Sequence, residues 1–219
     1  YKPRGGKITY GPHWDFDRAL GSMDDRDANP RRWNTGRFFN GHWWARLFTD
    51  PDFWQLWVDR WQGLRKAEFS EEHLFNLIDR LADQVREAQP RETKRWGLEP
   101  RWGTYQSEID WMKNWLSERM EFIDEQLAQP PKLSRDGNRV TLTGRSNATV
   151  FYTLDGSDPR LTQGGVSSNA VEYTGTIELK GNGRLVARTR DPDRRQVGGP
   201  PVSTPWSSPV RIDYTISPR

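Results

Sequence analysis

Residues 104–131 read TYQSEIDWMKNWLSERMEFIDEQLAQPP, and their pattern decides how the chain is built. Tyr105, Ile109, Met112, Leu116, Met120, Ile123 and Leu127 follow one another at steps of four, three, four, four, three and four. Side chains so spaced share one face of an α-helix. The spacing therefore predicts an amphipathic helix of about six turns beginning at Thr104, with that face in a core. Gln129-Pro130-Pro131 ends it, because proline has no N–H for the helical ladder and its ring crowds the preceding turn. Composition changes at the same place: eleven of the 12 tryptophans precede the prolines, and short alternating stretches follow them. The expected architecture is α+β in two domains, α-rich over residues 1–128 and a β-sandwich over residues 131–219.

Upstream of that helix the pattern remains helical. A first helix is predicted over His42 to Phe48, and Asp50-Pro51 then opens another. Asp50 can accept from the free amides of the first turn, while Pro51 sits where its missing N–H costs nothing. Phe53, Trp57, Trp61 and Leu64 recur at helical spacing, and Trp54 widens the apolar stripe, which reads as core rather than as a sugar-stacking platform. Ser70 caps a third helix whose Leu74, Leu77, Ile78, Leu81 and Val85 form one face, and this helix ends before Pro90. Gln89 to Gly103, with Trp96 and Trp102, reads as a loop.

After the prolines, strands are predicted at Arg139–Thr143, Thr149–Leu154, Ala170–Tyr173, Thr176–Leu179, Arg184–Arg188 and Val210–Tyr214. Clusters of Gly, Asn, Asp, Ser and Pro separate them, the pattern of a small immunoglobulin-like or fibronectin-III-like sandwich.

The stretch that carries chemistry is His13-Trp14-Asp15-Phe16-Asp17, behind an expected strand at Lys7-Ile8-Thr9-Tyr10 and a Gly11-Pro12 break. In extended chain Asp15 and Asp17 point to one side, and Trp14 and Phe16 to the other. Two carboxylates so placed suit a hard cation. Mg²⁺ is commonly held by one or two carboxylates plus substrate phosphates, and kinases place such an aspartate just after a strand. The same residues fit a plainer reading, in which Asp17 caps a helix starting at Arg18-Ala19-Leu20 and Asp15 is solvated. Further on, Asp25, Asp27 and Asn29 have the one-three-five spacing of a calcium loop. Pro30 stands where an EF-hand needs glycine and Gly36 where its closing glutamate belongs, so an ordinary loop is expected there.

Other chemistries are poorly supplied. The 3 histidines, His13, His42 and His73, form no zinc-ligand spacing, and there is no nucleophile elbow or phosphate-cradling glycine loop. With 0 cysteines there are no disulfides. The net charge of +3 is too small to point to nucleic acid, which needs a concentrated basic face. Residues 1–128 carry 20 basic against 22 acidic side chains, and residues 129–219 carry 13 against 8, so the mild basicity lies in the second half. No apolar run is long enough to span a membrane, and Tyr1-Lys2-Pro3-Arg4 lacks the pattern of a secretory leader. Apolar content is only 33%, but 12 Trp, 9 Phe and 6 Tyr can supply a core.

Two resemblances bear on function. Gly11-Pro12-His13-Trp14-Asp15-Phe16-Asp17-Arg18-Ala19-Leu20-Gly21 resembles the P-x-W-D-x-D-x-x-x-G segment of the spore coat protein H (CotH) kinase family. With the helices that follow, it looks like the C-terminal part of that family's domain over about residues 1–128. The family consists of atypical, secreted kinases whose Asp-x-Asp segment takes the place of the usual metal-binding motif. The resemblance implies Asp15 as an Mg²⁺ ligand and the contact to ATP, with Asp17 as a second ligand or its support. It also implies a nucleotide-covering lobe and a catalytic loop upstream, so this chain is expected to be a piece of a longer bacterial protein of the envelope or exterior. By itself it is expected to be inactive and to bind no cofactor tightly. The stretch Ala148-Thr149-Val150-Phe151-Tyr152-Thr153-Leu154-Asp155-Gly156-Ser157-Asp158-Pro159 is similar to the YTLDGSDP signature of the chitobiase/β-hexosaminidase C-terminal domain family, whose members are accessory modules. Asp155 and Asp158 are read as turn-forming, since two acids three positions apart in one turn do not face each other across a sugar.

The leading expectation is thus the C-terminal portion of a CotH-like atypical protein kinase. The alternative is a non-catalytic extracellular or envelope scaffold that binds a protein or glycan partner. In either case Tyr10, Trp14 and Phe16 are expected to form an apolar patch covered by the upstream portion or by another chain.

Overall fold

The computed structural model describes residues 3–7, 9, 16, 19–21, 27–33, 39–194, 196 and 198–216. Its helices are α1 (Pro51–Leu64), α2 (Glu71–Val85), α3 (Gln89–Trp96) and α4 (Tyr105–Gln126), with a 3-10 helix over His42–Thr49 before them. Seven strands follow: β1 (Lys132–Asp136), β2 (Arg139–Thr143), β3 (Thr149–Thr153), β4 (Val171–Glu172), β5 (Ile177–Glu178), β6 (Asn182–Arg190) and β7 (Val210–Thr215). Helices therefore come first and antiparallel sheets second, the α+β order read from the sequence. Ile8 and Tyr10 of the strand expected near the start lie outside the described residues, and Lys7 and Thr9 are not in a strand. The chain forms two compact units, one of Tyr1–Arg32 with Phe75–Met120, the other of Trp33–Leu74 with Glu121–Arg219.

In the first unit α2 and α4 pack antiparallel. Lys113 reaches Asp79 at 2.6 Å while lying over the Phe75 ring, and the Tyr105 hydroxyl donates to the Ala82 carbonyl at 2.8 Å. Ser70 caps α2 by accepting from the His73 amide, and Glu71 and Glu72 place negative charge on its first turn, where the helix dipole favours it. The apolar face predicted for α2 is only partly buried: Leu74, Leu77 and Ile78 are half-buried and Leu81 and Val85 half exposed, while the buried residue of the helix is Ala82, which that face did not include. On α4, Ile109 and Met120 of the predicted face are buried.

The segment read as a loop from Gln89 is in fact α3. α2 does end before Pro90, at Val85, and Pro90 also opens a new helix, in whose first turn it breaks no hydrogen bond. Lys94 and Arg95 complement the far end of α3, and Gly97, at φ 65°, closes it by donating to the Thr93 carbonyl.

The second unit has an aromatic core and a sandwich core. Trp33, Phe39, Phe48, Trp54, Val58, Phe122, Ile123 and Leu127 are buried together. Trp54 stacks on Trp57 with ring centres 4.6 Å apart, and Trp57 on Trp61 at 5.7 Å. Asp50 caps α1 by accepting from the Asp52 amide at 2.9 Å, as the Asp-Pro pair predicts. The most buried row of α1 is Trp54, Gln55, Val58 and Gln62, with Phe53, Trp57 and Trp61 at its margin. Gln62 donates to the Ala128 carbonyl at 2.8 Å and accepts from the Ser208 amide at 2.7 Å, so its amide is buried with both ends satisfied.

The sandwich pairs a β1-β2-β5 sheet with a β4-β3-β6-β7 sheet. Val140, Leu142 and Ile177 of the first meet Val150, Leu185, Ala187 and Tyr214 of the second. β2 alternates as its pattern requires, with Val140 and Leu142 inward and Arg139, Thr141 and Thr143 outward. All six predicted strands recur, five within one residue at each end and β6 two residues longer at both ends. β1 was not predicted. It is an edge strand with a polar face, joined to β2 by the two-residue turn Gly137-Asn138, in which Gly137 takes φ 57°. β6 is buried on both faces from Leu185 to Thr189, because α1 and residues 204–208 cover the side away from the sandwich core.

Candidate functional site

Asp15 and Asp17 lie outside the described residues, as do Tyr10, Trp14 and Asp25. What the structure does describe is how the chain immediately after them is held. Phe16 is 68% exposed, and its carbonyl accepts from the Ala19 amide at 3.0 Å. Leu20 and Gly21 then take left-handed backbone angles, φ 62° and 68°. Glycine adopts that conformation freely, whereas for leucine it costs about 1–2 kcal/mol and persists only where the surroundings impose it.

The surroundings are supplied by α4. Trp111, Trp115 and Arg119 stand at steps of four, on one stripe of the helix. The Trp111 indole N–H donates to the Leu20 carbonyl at 3.3 Å and that of Trp115 to the Asp27 carbonyl at 2.8 Å. Arg119 donates to the Pro30 carbonyl at 3.1 Å and also to that of Arg32. Burial pulls the Arg119 guanidinium below its ordinary pKa, though arginine stays charged. From the loop before α4, Arg101 donates to the Gly21 carbonyl at 3.2 Å and lies over the Trp102 ring. Trp102 in turn stacks on Trp111 at 4.0 Å. Gly21 runs close beside this layer: a Cβ there would meet Ala28 and the Trp111 indole at 3.5 Å. Sequence reading placed α4 by its apolar face and missed this second stripe. The signal was present as Trp, Trp and Arg at i, i+4 and i+8, residues whose N–H groups need partners when buried.

The donor set of Asp15 and Asp17, two carboxylates, fits Mg²⁺ in kind. In the loop that follows in the sequence, an Asp27 carboxylate oxygen is buried with no hydrogen-bond partner, the kind of orphaned acceptor that a cation satisfies. The Asn29 side-chain oxygen accepts from the Arg31 amide at 2.9 Å, a turn contact. Among the described residues no group of three or more His, Cys, Asp or Glu is arranged to hold a metal, and no helix is long and apolar enough to cross a membrane.

Asp155 and Asp158 hold the turn, as expected. Asp155 accepts from the Ser157 amide at 2.9 Å, from its hydroxyl at 2.6 Å and from Asn169 at 3.2 Å. Asp158 accepts from the Arg160 amide at 2.9 Å and is paired with Arg188. The Ser157 hydroxyl chiefly lowers the pKa of Asp155. For Asp158 burial acts upward, but Arg188 and the Arg160 amide outweigh it and leave the carboxyl below the usual range. A glycosidase acid needs the opposite shift.

An α-rich half followed by an antiparallel β-sandwich is the class of protein that the fold defines. Residues 1–123 match the CotH kinase protein family, and residues 140–197 match the Fn3 associated family. The chain belongs to the CotH kinase protein family. No curated protein and no solved structure matches it.

Proposed function

We propose that this chain forms the C-terminal part of a CotH-like atypical protein kinase, in which Asp15 ligates Mg²⁺ and, through it, ATP, while Asp17 serves as a second ligand or supports the first. The observation that carries the reading is the family match over residues 1–123, which includes the Asp15-Phe16-Asp17 segment. Bound Mg²⁺ neutralises the phosphate charge that develops during phosphoryl transfer. This chain's own part is to present the two carboxylates and to keep the following loop against α4. As one part of such a kinase, the chain is proposed to be inactive by itself. The β-sandwich is an accessory module. A bacterial setting at the envelope or outside the cell goes with the family.

A second reading, a non-catalytic scaffold, is favoured by the apolar side chains that the first unit leaves open, Phe16, Leu81, Val85, Trp96 and Leu98. The full-length protein, incubated with ATP and a generic acceptor protein with Mg²⁺ and then with chelator, separates the two. Transfer that requires Mg²⁺ supports the kinase. Absence of both transfer and nucleotide binding supports the scaffold.

A further inference from the structure

We infer that Trp111, Trp115 and Arg119 are positioning residues for the acidic Asp15-Phe16-Asp17 segment, fixing the chain behind it so that its carboxylates can meet a nucleotide-bound cation. The inference rests on the kinase reading above and adds the residues that set the geometry of the same site.

Three features carry it. First, all three side chains direct their N–H groups at main-chain carbonyls, those of Leu20, Asp27, Pro30 and Arg32. Such bonds fix the path of the chain whatever side chains the loop carries. With Arg101 on Gly21, five carbonyls between Leu20 and Arg32 are held by groups on or just before α4. A loop whose main-chain groups are satisfied in this way takes its position from the helix. Second, Leu20 is held at φ 62° directly under Trp111. Leucine in that region is uncommon, and backbone strain of this kind concentrates at functional sites. Third, Asp17 precedes Leu20 by three residues, so at most about 11 Å of extended chain separates them. The Phe16 carbonyl, between the two acids, accepts from the Ala19 amide at 3.0 Å, so a shift at Leu20 passes through that turn to the acidic segment, where ligand groups tolerate errors of only about 0.5 Å.

The two tryptophans suit this role better than phenylalanine would. Their rings pack, Trp111 against Trp102 at 4.0 Å, and only their N–H makes the bond to the loop. Trp111→Phe with Trp115→Phe thus removes the clamp while keeping aromatic bulk.

The test uses the full-length protein and Mn²⁺·ATP as probe, with binding followed by calorimetry and by the Mn²⁺ electron-spin signal. The thermal midpoint of each variant is recorded alongside. The Trp111→Phe/Trp115→Phe pair is expected to bind about ten-fold more weakly with a broadened Mn²⁺ signal, and to melt a few degrees lower because two bonds present without ligand are lost, so binding is compared well below both midpoints. Arg119→Lys, which keeps a donor, should lose less than Arg119→Met. If Asp15→Asn abolishes binding while the clamp variants bind within two-fold of the parent, the positioning role is overturned and the kinase reading stands. If Asp15→Asn binds as the parent does, the metal reading itself is overturned, and the positioning role with it.

Discussion

Arg188 on β6 and Asp59 on α1 meet end-on in the second unit, Nη1 donating to Oδ1 at 2.7 Å and Nη2 to Oδ2 at 2.8 Å. The same guanidinium donates to Asp158 through Nε and Nη2, at 2.7 and 2.6 Å, and to the Ser207 carbonyl at 2.7 Å. All five of its N–H groups thereby have acceptors. Burial acts to lower the pKa of Arg188, which is 3% exposed, but Asp59 and Asp158 outweigh it and hold the group above its ordinary value. The second aspartate of the Asp155-Gly156-Ser157-Asp158 turn thus does more than shape the turn. It completes a charge cluster that ties β6 to a helix lying before Pro130-Pro131 in the sequence.

Removing the arginine leaves two carboxylates without their shared partner, with the charge of Arg211 still acting on Asp158. Arg188→Met is expected to destabilise the protein by about 3–5 kcal/mol, the usual cost of breaking a buried pair from one side. Asp59→Asn keeps an acceptor for Nη and should cost less. Urea unfolding of the two variants, monitored by tryptophan fluorescence, checks the order.

Acid should weaken the same region. Asp158 has its pKa lowered against the pull of burial by Arg188 and the Arg160 amide, and Asp52 against the same pull by the Gln163 amide and Arg160. In both cases the folded form holds its proton less tightly than the unfolded chain, whose aspartates titrate near about 3.9. The contribution is therefore complete above about pH 5 and is lost as pH falls through about 4 and below. Urea midpoints measured from pH 6 to pH 3 should drop more steeply for the parent than for Asp158→Asn or Asp52→Asn.

The sandwich closes its own core, so residues 131–219 are expected to fold alone. Without α1, however, the outer face of β6 and residues 204–208 lose Asp59, Gln55 and Gln62 as partners. The isolated piece should unfold cooperatively but at least about 10 °C below the corresponding transition in the whole chain, given that 1 kcal/mol is worth about 4–8 °C in a domain of this size. Circular dichroism melts of the two proteins decide it, and equal midpoints would show that α1 contributes nothing.

Gly183 offers a sharper test of packing. A Cβ at this position would lie 2.7 Å from the Tyr214 ring and 2.9 Å from the Leu154 carbonyl, and the latter is backbone that cannot swing aside. Gly183→Ala is expected to cost about 1–3 kcal/mol as an overpacking change, read from the urea midpoint.

Much of this fold was legible because periodicity reports burial. The face of α4, the cap at Asp50 and the inward Val140 and Leu142 follow from spacing alone. What escaped was structure whose signal is polar. β1 hides behind Lys132, Ser134, Arg135 and Asp136, because an edge strand need not bury anything on its outer face, although its Gly137-Asn138 turn was readable. Pro90 was read as a stop when it also marks a start, and α3 has no buried residue to reveal it. Gln55 and Gln62 sit deeper than Phe53 or Trp61 because they are anchored to the backbone of residues 128 and 206–208, partners far away in sequence. At the candidate site the acids themselves were conspicuous in the sequence. The stripe of Trp111, Trp115 and Arg119 that holds the following loop was not, since a search for apolar spacing passes over side chains selected for their N–H groups.

Asp15 is proposed to carry the metal for phosphoryl transfer. Asp15→Asn preserves the shape of the side chain and removes its charge, so it should leave the fold intact while abolishing the liganding role. The deciding measurement is transfer of the γ-phosphate from Mg²⁺·ATP by the full-length protein, parent against Asp15→Asn, at matched thermal midpoints. Loss of transfer in the variant is the predicted result; transfer at the parent's rate would contradict the account and leave the scaffold reading in its place.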